Sequence, residues 1–226
     1  MQAVLKPAEG SQVFYVLLGS IFWISSVQYF VIQLLVALAW QKTYSVLHNT
    51  ISDLGNTVCG PYHGGFVCSP LHGWMNASFV ALGLSMSLGS VLLYRQYSKN
   101  AMGVAAFGCM CLAGLGTMLV GLFPENTIGT LHVIGAALPF IIGNLALVLF
   151  GSALDIPRTL RYYTIISGFV ALSALVLFIT HTYLGLGAGG MERITAYPQT
   201  IWLIVFGSYS LHSYYKKSTY QKSKVV

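Results

Sequence analysis

The chain has 226 residues, of which 7% are charged and 56% hydrophobic, with a formal net charge of +6 at pH 7 and a mean hydropathy of +0.72. About a quarter of the residues of a soluble domain are charged, so this composition excludes a water-soluble fold and calls for a membrane domain.

The first apolar run, 13–38, is long and lacks a charged leader followed by a small-residue cleavage site, so it is expected to persist as a span. It feeds the one long connection, 39–73. Gln41 to Leu54 is expected to extend the first helix or to form a short interfacial helix, with Gly55 as its stop. The rest, 55–73, reads as an outer loop stapled by a disulfide between Cys59 and Cys68, as an oxidising compartment allows. Further spans are expected over 74–94, 102–123, 131–153, 162–185 and 195–213. Each is near the 20 or so residues that a helix rising about 1.5 Å per residue needs to cross a bilayer core. The fold class is therefore all-α, a polytopic transmembrane helical bundle of about six spans forming one domain over 1–226.

Glycines recurring inside the spans permit close helix contact, and Cys109 and Cys111 behave there as small apolar residues. Pro139 and Asn144 in the fourth span predict a kink and an Asn144 side chain bonded across helices.

Lys6, Arg95, Lys99, Arg158, Arg161, Lys216, Lys217, Lys222 and Lys224 fall on the side of the termini, against Lys42 and Arg193 on the other. The positive-inside rule then places both termini in the cytoplasm, in the cell (plasma) membrane. Membrane lipids account for the positive charge, and no nucleic acid is needed as a partner. Asp53, Glu125 and Glu192 gather at the opposite, extracytoplasmic end.

Three polar constellations share that end. The first is His48, Asn49, Ser52, Asp53 and Gly55; if helical, His48 stacks on Ser52 and Asn49 on Asp53. Asp53 either bonds local backbone at a helix terminus or orients a ligand. The second is Pro124, Glu125, Asn126, Thr130 and His132, where Thr130 is a reasonable N-cap and His132 sits in a first turn that favours the neutral imidazole. The third is Met191, Glu192, Arg193, Tyr197 and Trp202. Arg193 there pairs with an acidic residue or binds an anionic head group, and Tyr197 and Trp202 read as interfacial aromatics or substrate contacts.

Ile51-Ser52-Asp53-Leu54-Gly55, then Asn76 with Phe79 and Gly83, then Gly121-Leu122-Phe123-Pro124 followed by His132, and finally Met191-Glu192-Arg193-Ile194 with Tyr197 and Trp202, run in an order that resembles the uncharacterised prokaryotic six-helix family called domain of unknown function 998. The resemblance implies a bundle of this topology and brings no activity with it. It draws attention to Ser52, Asp53, His132, Glu192 and Arg193.

The functional expectation is a membrane-embedded hydrolase or transferase acting on a lipid or lipid-linked substrate at the outer leaflet. Ser52, Asp53, His132 and Glu192 are the catalytic candidates, and Arg193, Asn126, Asn76, Tyr197 and Trp202 are the substrate-binding candidates. His48, Asp53 and His132 offer a mixed nitrogen and oxygen ligand set for zinc. Without metal, Asp53 and His132 form an acid/base pair beside Ser52. Two other readings stay open: an accessory or assembly subunit, or small-molecule binder, with partner subunits in the membrane, and a haem or quinone redox subunit.

Overall fold

The first apolar run folds as one membrane-length rod made of two helices. In the computed structural model, which describes residues 9–41, 43–62 and 65–223, α1 (Glu9–Ser25) and α2 (Val27–Leu38) are separated only by Ser26. The Ser26 main-chain N–H turns back to the Trp23 carbonyl at 3.2 Å. Lys6, Lys42, His63 and Lys224 lie outside the described residues.

The helix does not continue into the long connection. Residues 43–51 form turns and irregular chain that lead to a single 3₁₀ turn, Ser52–Gly55, in place of the expected interfacial helix over 41–54. Local side chains explain this. The Asp53 N–H donates to Thr50 Oγ1 at 3.1 Å, and the Thr50 N–H donates to Asp53 Oδ2 at 2.9 Å. This reciprocal capping pair starts a new turn at Thr50 instead of prolonging an older one. Beyond it, β1 (Gly60–Tyr62) and β2 (Gly65–Val67) pair antiparallel with Gly60 opposite Val67, and the Cys59–Cys68 disulfide closes the base of the hairpin.

The remaining helices are α3 (His72–Tyr97), α4 (Ala101–Leu122), α5 (Gly129–Ala137), α6 (Asn144–Ala153), α7 (Arg158–Ile179) and α8 (Gly187–Ser223). A π-helical stretch, Leu138–Gly143, joins α5 to α6 into one continuous rod. Pro139 withholds a main-chain donor at the start of that stretch, and the wider turn absorbs the loss. Asn144 Nδ2 donates to the Phe140 carbonyl at 2.9 Å and, across to α8, to the Thr195 carbonyl at 3.0 Å, the cross-helix bond expected of it. The N-cap of α5 is Ile128 and not Thr130, so His132 lies at the fourth position of the helix.

Among the described residues, five rods are long and apolar enough to cross a membrane: Gln12–Leu38, His72–Tyr97, Ala101–Leu122, Gly129–Ala153 and Arg158–Ile179. The sixth, α8, is less apolar because Thr195, Gln199, Thr200 and Ser210 interrupt it, and all four are buried. It packs between α1 and α7, so these polar groups face protein and not lipid. The opposite situation holds for Leu34, Leu38, Val133 and Ile179, each more than 60% exposed on the outer surface where acyl chains belong.

Close backbone contact sets the packing of α3 on α4. A Cβ added at Gly83 would stand 2.4 Å from the Gly114 carbonyl oxygen, and one at Gly114 would stand 2.6 Å from that of Gly83. Lipid tails are as apolar as leucine, so it is dispersion at such small-residue contacts that holds helices together. A ring cluster fills the centre: Trp202 stacks on Phe150 with centroids 4.5 Å apart, and Trp23 contacts Phe107, Trp202 and Phe206. The connections 39–71, 123–128 and 180–186 meet at one end of the bundle, with the start of α8.

Candidate functional site

Three segments distant in sequence converge on Ser52. The capping pair fixes the 3₁₀ turn that carries it, and α5 brings His132 over it, with Ser52 Oγ 3.0 Å from His132 Nε2. The other ring nitrogen, Nδ1, is 2.9 Å from the Phe123 carbonyl oxygen. A carbonyl only accepts, so Nδ1 carries the proton, and Nε2 presents its lone pair to the Ser52 hydroxyl. His132 is 6% exposed, so water has little access to compete for that lone pair.

Glu192, on the first turns of α8 and buried, approaches from the third side. One of its oxygens accepts the Ile51 main-chain N–H, and the other is 3.4 Å from Ser52 Oγ. A hydroxyl has one proton to give, and the shorter contact assigns it to His132. Glu192 therefore pins the turn through Ile51 and sets its carboxyl beside the serine.

Asp53 points to its own segment. Its Oδ2 accepts from Asn49 Nδ2 at 3.2 Å and from the Thr50 N–H at 2.9 Å, so the expected Asn49–Asp53 pair forms without a helix. The expected Asp53–His132 acid/base pair does not form; His132 instead meets Ser52 and a main-chain carbonyl. Glu125, in the connection before α5, receives Asn56 Nδ2 at 3.4 Å. Burial, with the Asp53 charge nearby, pushes the Glu125 carboxyl up to about 8, against the smaller opposing effect of that hydrogen bond.

Arg193 is spent on main chain. Its Nη1 donates to the carbonyls of Val46, Asn49 and Gly189 at 2.8 to 2.9 Å, and its Nη2 donates to the Tyr44 hydroxyl. Among the described residues no carboxylate forms an ion pair with it. Gly189 lets this loop lie on the end of α8: a Cβ there would stand 2.1 Å from the Asn49 carbonyl oxygen. Asn126 ties two outer connections, accepting the Thr57 N–H at 3.0 Å and donating to Thr57 Oγ1 at 2.9 Å, and Asn76 Nδ2 holds the Gly55 carbonyl at 2.9 Å. Tyr197 donates to Gln33 Oε1 at 2.9 Å, and Trp202 lies in the ring cluster with its Nε1 on Thr164 Oγ1 at 2.8 Å.

His48 is exposed while Asp53 and His132 are buried. Among the described residues no three of His, Cys, Asp or Glu are grouped to hold a metal ion, so the ligand set His48, Asp53 and His132 is not assembled.

Sequence reasoning missed Tyr44, Thr50 and the Phe123 carbonyl. Thr50 was findable, since Thr-x-x-Asp is a capping signature. A main-chain acceptor such as that of Phe123 leaves no mark in the residue string.

No curated protein and no solved structure matches the chain. The family described as Protein of unknown function (DUF998) matches residues 24–209, which is most of the chain, and with its stack of apolar helices the protein is a membrane-embedded member of that family.

Proposed function

We propose that the protein is a membrane-embedded serine hydrolase or acyltransferase acting on a lipid or lipid-linked ester at the extracytoplasmic end of the bundle. The observation that carries this reading is the Ser52 hydroxyl on His132 Nε2, with Nδ1 committed to the Phe123 carbonyl. A nucleophile, a base and a group that orients the base is the minimal arrangement for nucleophilic acyl transfer. In the first step Ser52 Oγ bonds to the carbonyl carbon of the ester while its proton passes to His132 Nε2. His132 then returns that proton to the departing alkoxide, leaving an acyl-serine. Glu192 acts by fixing Ile51 and the turn that carries Ser52.

The membrane side of the reading rests on charge. Arg95, Lys99, Arg158, Arg161 and Lys216 lie at the end away from Ser52, which supports a plasma-membrane protein with cytoplasmic termini and an outward-facing site. The test is reaction of the detergent-solubilised protein with a fluorophosphonate probe, followed by peptide mapping. Phosphonylation of Ser52, lost in Ser52→Ala and in His132→Gln, supports the proposal; an unmodified Ser52 overturns it.

A second reading, a non-catalytic tie or small-molecule binder in a membrane complex, is favoured by one observation. Arg193, Asn126 and Asn76 are consumed in holding the outer connections together.

A further inference from the structure

On the membrane side of Ser52 the bundle holds a partly open cavity of about 40 Å³. It is bounded by Ser52 and Glu192 at one end, by Thr117, Thr200 and Gln199 deeper in, and by Pro139 and Phe140 of the π-helical stretch on one flank. Gln199 is 3% exposed, and its carboxamide Oε1 has no hydrogen-bond partner in the protein. An amide oxygen at this depth cannot turn to solvent, and the tight contact with the end of the π-helical stretch holds it in place: a Cβ at Gly143 would stand 2.2 Å from it. One water requires roughly 10–15 Å³ of such space and two to four polar partners. The cavity has room for two or three waters, and Ser52, Glu192, Thr117, Thr200 and Gln199 supply the partners. An apolar occupant would leave Gln199 Oε1 without a donor.

We infer that this cavity is a resident water site between Gln199 and Ser52. The π-helical stretch, by displacing Pro139 and Phe140 from a regular helical path, gives the site its flank. In the acyl-transfer reading, on which this consequence rests, the water is the acyl acceptor. Its oxygen bonds to the carbonyl carbon of acyl-Ser52 and its proton passes to His132 Nε2. The Ser52 oxygen then leaves with the bonding pair and regains the proton from His132. With water as the acceptor the reaction is hydrolysis.

X-ray radiolytic hydroxyl labelling with mass spectrometry tests the site, because bound water converts locally to hydroxyl radical. Met86 lines the cavity and is 1% exposed, while Met110, 0% exposed, does not line it. The expected result is several-fold faster oxidation of Met86 than of Met110, falling to the Met110 rate in Gln199→Leu. Equal rates in the unaltered protein overturn the water site. Fast Met86 oxidation that persists in Gln199→Leu overturns the assignment of Gln199. The acceptor role is read separately: Gln199→Leu keeps fluorophosphonate labelling of Ser52 and loses ester turnover, whereas loss of both or neither overturns that role. Failure of Ser52 to label at all sinks the catalytic reading and leaves the Met86 comparison standing.

Discussion

Ser52 and His132, 80 residues apart in the chain, meet at 3.0 Å with the histidine tautomer set by a main-chain carbonyl. Removing either partner separates catalysis from folding. Ser52→Ala deletes a single neutral hydrogen bond, which contributes about 1 kcal/mol. The midpoint of thermal unfolding in detergent is expected to fall by only about 2–4 °C. Turnover of an ester substrate is expected to vanish, and in His132→Gln to fall by roughly 10² to 10⁴. A loss of fold that accompanies the loss of turnover in both variants would point to the structural tie.

Glu125 gives the protein a pH-dependent stability with a definite sign. Its carboxyl is raised to about 8 in the folded state from an ordinary 4.5, so the folded state holds the proton more tightly than the unfolded one. The resulting stabilisation is fully present below about pH 4.5 and is lost as pH rises through about 8. Thermal unfolding in detergent between pH 5 and 9 should show a declining midpoint, and Glu125→Gln should flatten the decline.

Arg193→Lys distinguishes a loop clamp from an anion receptor. Lysine keeps the charge but cannot span three carbonyls and a phenol with a planar fork. A clamp predicts destabilisation of about 3 kcal/mol, at the upper end for hydrogen bonds made by a charged donor. It also predicts faster proteolysis within 43–51. Retained stability with weakened lipid binding would favour the receptor.

Gly189→Ala forces a methyl group to 2.1 Å from the Asn49 carbonyl oxygen, a main-chain atom that cannot swing aside. The 44–50 loop must lift from α8, carrying Tyr44 away from Arg193. The expected outcome is a less stable protein in which Ser52 reacts more slowly with the probe, measured by unfolding midpoint and labelling rate. An unaltered labelling rate would mean that the turn bearing Ser52 holds its place without that loop.

The helices were legible in the sequence because lipid imposes a single rule on every span, and the predicted ends agree with the observed rods to within a few residues, except at α7, which ends at Ile179 and not 185, and at α8, which runs from Gly187 to Ser223 where only 195–213 was expected. Asn144 was legible for the same reason, since an amide in a span must find a partner. The Cys59–Cys68 staple could be read from two cysteines flanking a turn-rich stretch. The outer connections were less legible. His48 and Ser52 were placed on one helical face by spacing alone, and the local competition of Thr50 and Asp53 for main-chain groups broke that helix. Arg193 was expected to seek a carboxylate or a phosphate, yet four oxygens from one loop and one helical turn satisfied it. The pairing of His132 with Ser52, and not with Asp53, depends on how α5 lies over the turn, which no spacing in the chain encodes.

The Phe123 carbonyl that orients His132 belongs to the peptide backbone, so no codon change deletes it. Scanning this protein residue by residue for a third member of the relay would come back empty-handed, and the dyad would look self-sufficient. Only an edit to the path of the chain, such as a one-residue deletion in 124–128, can take that acceptor away.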